Sequence, residues 1–144
     1  VPMERNMNIT ELMKKVVITV EMDDSLHIVK EIFDNTGFHH LLVVDSGKLL
    51  GVISDRDLLK SLNPKIGTAA ETEKDLSCLN KKTHQIMSRA PIGLNKSASV
   101  YDAIEIFNSH KISCIPVVDD ENIPVGIISW RDVMKVLGEK MGNV

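Results

Sequence analysis

The 144 residues carry 17 Lys and Arg against 20 Asp and Glu, a formal charge of −3, with 43% hydrophobic and 26% charged residues. That balance describes one soluble globular domain of ordinary size, and with no basic run and only five aromatics it disfavours a nucleic-acid surface. No apolar stretch reaches the ~20 residues of a membrane span, and Val1-Pro-Met-Glu-Arg5 lacks the basic start and apolar core of a signal peptide, so a cytoplasmic protein with no membrane partner is expected.

Thr10-Glu-Leu-Met13 suits a short helical turn, and Val16-Val-Ile-Thr-Val20 gives five β-branched residues in a row, a short strand expected to be buried on both faces. Asp23-Asp24-Ser25 stops it. Ser25 is the predicted N-cap of a helix with Leu26, Val29, Ile32 and Phe33 on one face, ended by Asn35-Thr36-Gly37. Leu41-Leu-Val-Val44 is a second buried strand, Asp45-Ser-Gly-Lys48 a hairpin turn, and Leu49 to Ile53 the returning strand.

Gly51-Val-Ile-Ser-Asp-Arg-Asp57 then turns that strand into a helix that runs through Leu62. At such a corner the first backbone N–H groups of the helix suit an anion or a ligand oxygen. Ser54 and Asp57 also have the spacing of a capping box, which would satisfy those groups internally and contribute about 1 kcal/mol. Asn63-Pro-Lys-Ile-Gly67 breaks the helix. Residues 63–82 are expected to form a linker with one helical segment, anchored by Leu76 and Leu79, with Ile86 just beyond. Cys78 and Cys114 are isolated, with no CxxC and no short-range Cys/His cluster, so neither a zinc site nor a disulfide framework is indicated.

The second half repeats the first. A shift of 74 places Met13 on Met87, Ser25 on Ser99, Phe33 on Phe107 and Leu42-Val-Val-Asp45 on Pro116-Val-Val-Asp119. One extra residue in the turn after Asp119 changes the shift to 75, so that Gly51, Ser54 and Asp57 meet Gly126, Ser129 and Asp132. Such a duplication predicts two copies of one small β-α-β-β-α unit, residues 8–62 and 83–140, each packed on the other with approximate two-fold symmetry. The fold class is therefore α/β in the α+β sense, with the two corners converging on a cleft between copies.

Two β-α-β-β-α units, a Pro-Val-Val-Asp strand and a terminal G-h-h-[ST]-x-x-D present twice resemble tandem cystathionine-β-synthase (CBS) domains, the Bateman module, over nearly the whole chain. The resemblance implies a regulatory module without catalysis and without an obligatory cofactor. Its ligand would be an adenosine compound such as AMP, ADP, ATP or S-adenosylmethionine, as in energy sensing. Asp57 and Asp132 would accept hydrogen bonds from ribose hydroxyls, and Ser54 and Ser129 would serve ribose or phosphate. Each pocket would be composite, with Phe38 and His39 opposite Ile127, Ser129 and Asp132, and with Ile112 and Ser113 opposite Val52, Ser54 and Asp57. Ser25 and Ser99 stand where the family often has another ligand-contacting hydroxyl.

The chain departs from the family pattern at several places. Leu42 stands for the usual Pro, and Gly93 for the counterpart of Thr19. Arg56 and Arg131 precede the motif acids, where a guanidinium could clamp phosphate or lie solvated on the first helical turn. Adjacent strand residues face opposite ways, so of His39 and His40 at most one serves the cleft. Trp130, whose counterpart is Asp55, is expected in surface packing or a dimer contact rather than as a stacking platform for a base. Because His39 faces Ser113 in the repeat, the pocket of His39 and Asp132 is expected to favour a phosphorylated ligand, with affinity falling from about pH 6 to 8 around the reference His pKa.

No nucleophile with an adjacent base, no Walker-type loop and no hydrolase metal spacing occurs, so an enzyme is not expected. A structural dimerisation module with vestigial pockets is the alternative function. A homodimer through the apolar faces of the corner helices (Leu58, Leu59, Val133, Met134, Val136, Leu137) is expected. Since the sequence stops at Val144, any output would fall on a separate effector protein.

Overall fold

The fold is given by a computed structural model that describes residues 7–89 and 92–142, the last two by backbone alone. The chain divides into two compact units, one of residues 18–89 and the other of residues 7–17 with 92–142. Both are mixed α+β, and each repeats the same β-α-β-β-α order.

The first of these units holds strand β1 (Thr19–Glu21), helix α1 (Leu26–Asn35), strands β2 (His40–Asp45) and β3 (Lys48–Ser54), helix α2 (Asp55–Ser61), the short α3 (Glu73–Leu76) and β4 (Ser88–Arg89). Its sheet order is β1-β2-β3-β4, with β1 parallel to β2 and the other pairs antiparallel. Leu41 to Val44 are buried along β2 as an apolar run predicts, whereas the run from Val16 to Val20 contributes only a three-residue edge strand. Val20 is buried there, but Val16 is 70% exposed, because it precedes the first paired residue, Thr19. The β2–β3 turn places Ser46 and Gly47 at positive φ, 52° and 82°, the two left-handed residues that a tight hairpin matching strand twist requires.

Helix α1 lays Leu26 and Val29 into the core, with Ile32 and Phe33 half-buried against it. Its end is made by side chains rather than by a left-handed glycine: Thr36 Oγ1 donates to the Ile32 carbonyl at 2.7 Å, and Asn35 Nδ2 donates to that of Glu31 at 2.9 Å. The region after Pro64 joins this core through Leu79, Leu76 and Ile86. Thr72 and Asp75 cap α3 reciprocally.

In the other unit, β5 (Leu94–Asn95), β6 (Cys114–Val118) and β7 (Pro124–Ser129) form a sheet in that order, with helices α4 (Val100–Ser109) and α5 (Trp130–Gly142). Asp119 Oδ1 gathers the N–H groups of Glu121 and Ile123 in the lengthened turn, and Asn122 takes a φ of 64°. The added residue is thus absorbed in the turn. Ala103, Phe107, Ile115, Val117, Ile128 and Val133 make the core.

One segment is exchanged between sequence repeats. Ile9 is fully buried among the residues of the second repeat, its N–H donated to the Ala98 carbonyl, and Lys14 bridges Ile127. Seventy-four residues later, the turn Thr83–Gln85 is held by the Asp24 carbonyl, and Ser88 pairs with Val52. Repeat and packed unit therefore differ by one leading turn, which is the same turn in both directions.

Candidate functional site

Each corner is a strand end that becomes a helix within one residue. At the first, Ser54 Oγ accepts from the Asp57 N–H at 3.1 Å, and Asp57 Oδ2 accepts from the Ser54 N–H at 2.9 Å. At the second, Asp132 Oδ2 accepts from the Ser129 N–H at 2.8 Å and from its hydroxyl at 2.9 Å, while Ser129 Oγ accepts from the Asp132 N–H at 3.2 Å. Both are capping boxes.

The first helical N–H is also committed in both copies. Asp55 donates its N–H to the His39 carbonyl at 3.0 Å, and Trp130 donates to that of Ser113 at 3.2 Å. The helix starts are therefore largely satisfied from within, and the backbone N–H groups are not the feature that would hold an anion. What remains is the carboxylates, whose capping bonds at Asp57 and Asp132 fall on Oδ2.

Around the first corner, Val52 and Phe38 are half-buried, while Arg56 and His39 are exposed. Around the second, Ile127 and Ile112 are half-buried, and Arg131 and Ser113 are exposed. Ser99 caps α4 by accepting from the Asp102 N–H at 3.2 Å, whereas Ser25, at the same position before α1, makes no capping bond with its side chain. The hydroxyls at these matched positions are thus differently engaged.

His39 Nδ1 lies 2.9 Å from Asp55 Oδ2, a pairing that sequence spacing did not single out, since Asp55 stood only as the counterpart of Trp130. That contact, ahead of all other influences, holds the Asp55 carboxyl below its ordinary range. In the other unit, Trp130 instead stacks on Phe107, with ring centroids 5.0 Å apart and planes 15° from parallel. The indole is committed to packing in its own unit.

Next to the serines sit His40, paired across the sheet with Ser54, and Cys114, paired with Ser129. Burial lowers the His40 pKa, against the opposing pull of Asp55 and Asp57, and burial pushes the Cys114 thiol up to about 11. Both repeats thus make this position a place of low polarity. Among the described residues no group of His, Cys, Asp and Glu could hold a metal ion, and no helix is long and apolar enough to cross a membrane.

Two duplicated units, each closed by a Ser/Asp corner, define a paired-repeat module. The chain belongs to the CBS domain family, whose model matches residues 9–64 and 84–139. It is 31% identical over 136 residues to the uncharacterized protein MJ0188 of Methanocaldococcus jannaschii, covering 94% of this chain and 46% of that one. The chain thus spans less than half the length of curated relatives such as this one. Among solved structures, the CBS domain of a CBS domain containing membrane protein from Sphaerobacter thermophilus is similar with a TM-score of 0.79 and 28% identity, covering 91% of this chain and 88% of that one. The CBS domain pair of protein MJ0100, in complex with 5′-methylthioadenosine and S-adenosylmethionine, is similar with a TM-score of 0.73 and 27% identity, covering 92% and 97%.

Proposed function

We propose that this chain is a regulatory module that binds an adenosine-containing compound at the Ser/Asp corners of its CBS repeats and alters the behaviour of a separate protein. The observation that carries this is the duplicated corner, in which Asp57 and Asp132 each cap a helix through Oδ2; in this reading the other oxygen of each acid meets a ribose diol. A carboxylate suits that task because hydrogen bonds to a charged acceptor are about twice as strong as neutral ones. The adenosyl ligands of the MJ0100 domain pair, 27% identical to this chain, support the ligand class. In this proposal Phe38, His39, Val52 and Ser54, and likewise Ile112, Ser113, Ile127 and Ser129, are ligand contacts beside the acids. Arg56 and Arg131 flank the acids as phosphate partners, and Ser25 offers the more available of the two helix-capping hydroxyls.

A structural dimerisation module is the second reading, favoured by the internally satisfied helix starts and by the exposed Leu59 and Met134. Calorimetry of ligand-free protein with S-adenosylmethionine, 5′-methylthioadenosine, AMP, ADP and ATP separates the two. Heat from at least one adenosyl compound, lost in a variant with Asp57→Ala and Asp132→Ala together, supports sensing. Silence from all of them at millimolar concentration leaves only the structural role.

A further inference from the structure

Two methionines sit on the two corner glycines, one in each unit. Met13 of the leading turn lies against the bare backbone of Gly126, so close that a Cβ there would collide with its Sδ and come within 3.0 Å of its Cε. Met87 lies against Gly51 in the same way, but it is 8% exposed, whereas Met13 is half-buried. The two seats are equivalent, and access to the sulfur is not.

The turn that carries Met13 is held at two places, the start of α4 and the edge of β7. Ile9 donates its N–H to the Ala98 carbonyl at 3.1 Å, and Val100 donates to that of Met7 at 2.8 Å. Lys14 and Ile127 each donate to the other's carbonyl, at 2.9 and 3.0 Å. Between these points in sequence, Leu12 and Met13 pack on the core that includes Phe107 and Ile115.

We infer that Met13 is an oxidation site at which a hydroperoxide releases the leading turn from the second unit. The sulfur lone pair attacks one peroxide oxygen and the O–O bond breaks. The proton on the transferred oxygen passes to the departing hydroxide, which leaves as water when hydrogen peroxide is the oxidant. Sulfur loses two electrons and the peroxide gains them. The product sulfoxide is polar where the thioether was apolar, and a polar group left unpaired in an apolar seat costs free energy. The backbone atom beside the seat, the Lys14 carbonyl oxygen, is itself an acceptor and already takes the Ile127 N–H, so it offers the sulfoxide no proton. Opening confined to the turn follows, because stability is distributed unevenly through a fold and short peripheral segments open first. Ile127 is among the ligand contacts proposed above, so release reaches the second corner; the release itself does not rest on that reading.

Peptide mapping by mass spectrometry after hydrogen peroxide treatment of the full chain, with hydrogen exchange on the same samples, tests the assignment. Met13 is expected to take up oxygen several times faster than Met87. In the oxidised protein the amides of Ile9, Lys14, Val100 and Ile127 should exchange about tenfold faster or more, while Val20 and Val43 in the first unit keep their protection. Met134, 59% exposed, is oxidised as well, so Met13→Leu, a swap of similar volume, isolates the effect: treated in the same way, it should keep the turn protected. Methionine sulfoxide reductases acting on both epimers should restore protection in the wild type. Oxidation of Met13 no faster than that of Met87, unchanged exchange in the oxidised wild type, or equal acceleration in oxidised Met13→Leu would overturn the assignment. Acceleration spread evenly over both units would do so too, by showing general damage rather than release.

Discussion

A Cβ on Gly51 would lie 2.7 Å from Met87 Sδ and 2.7 Å from the Ser88 carbonyl oxygen. The first glycine of the corner motif is therefore a seat for the segment that arrives from the next repeat, and Gly126 meets Met13 and the Lys14 carbonyl in the same way. The need is for space, since neither glycine adopts a positive φ.

Gly51→Ala and Gly126→Ala should each destabilise their unit by about 1–3 kcal/mol, the usual cost of forcing a group into a packed site. The thioether can yield, but the backbone carbonyl of β4 or of Lys14 cannot do so without breaking its sheet pairing. Urea unfolding measures the loss. Gly47→Ala offers a contrast, because there the strain comes from a φ of 82° with nothing within 4 Å; Met87→Ala should relieve Gly51→Ala only in part, since the Ser88 carbonyl remains, and Gly47→Ala not at all.

Asp57→Ala and Asp132→Ala should each lower stability by about 1 kcal/mol through loss of the cap. Each should also weaken S-adenosylmethionine or nucleotide binding by about 1.5–3 kcal/mol, as expected for a hydrogen bond to a charged group. Thermal unfolding and calorimetry on the same samples report the two effects separately. A loss of stability with unchanged affinity in both variants would confine the acids to capping.

The duplication, both corners, the hairpin turn and the capping boxes were legible because each is written in residues close together in sequence. The exchanged turns were not. A short segment such as Ile9 to Met13 carries an apolar face but no mark of which core it fills, and Ile9 finds its partners about a hundred residues away, around Phe107 and Ile115. The same limit hid the His39–Asp55 contact, which joins a strand entry to a helix start across the whole hairpin. Val16 stays exposed for another reason: an apolar run signals burial only where neighbours pair with it, and β1 begins pairing at Thr19. On the corner helices the apolar positions were also sorted more finely than the pattern implied, since Leu58 and Val133 are buried within their own units rather than exposed for a partner.

His40 supplies a pH dependence whose sign follows from burial. Its pKa in the folded protein lies below the ordinary 6.5, so between the lowered value and about 6.5 the unfolded chain binds more protons than the native one. Stability then rises with pH through that window and is lost as pH falls through it. His40→Gln should flatten the slope of unfolding free energy in the window below about pH 6.5, measured by urea denaturation at several pH values. An unchanged slope would mean that the position is hydrated in solution.

Leu59 and Met134 occupy the same place on α2 and α5, 75 residues apart, and are 68% and 59% exposed. Large apolar side chains standing singly on a surface are common, but the same exposure at both copies of one helical position marks a face rather than an accident. We propose that these two residues, and not the buried Leu58 and Val133, anchor the homodimer. Leu59→Glu and Met134→Glu should shift the protein to a monomer at micromolar concentration by sedimentation velocity. Each should change unfolding free energy by no more than about 0.5 kcal/mol within the monomer, since a substitution at an exposed site disturbs little. Leu58→Ala, by contrast, should cost about 2–5 kcal/mol through the cavity left in the core and lower stability without a specific effect on assembly. A dimer that persists in both Glu variants would place the interface on another surface, and a wild-type chain that sediments as a monomer with and without adenosyl ligand would remove the dimer altogether.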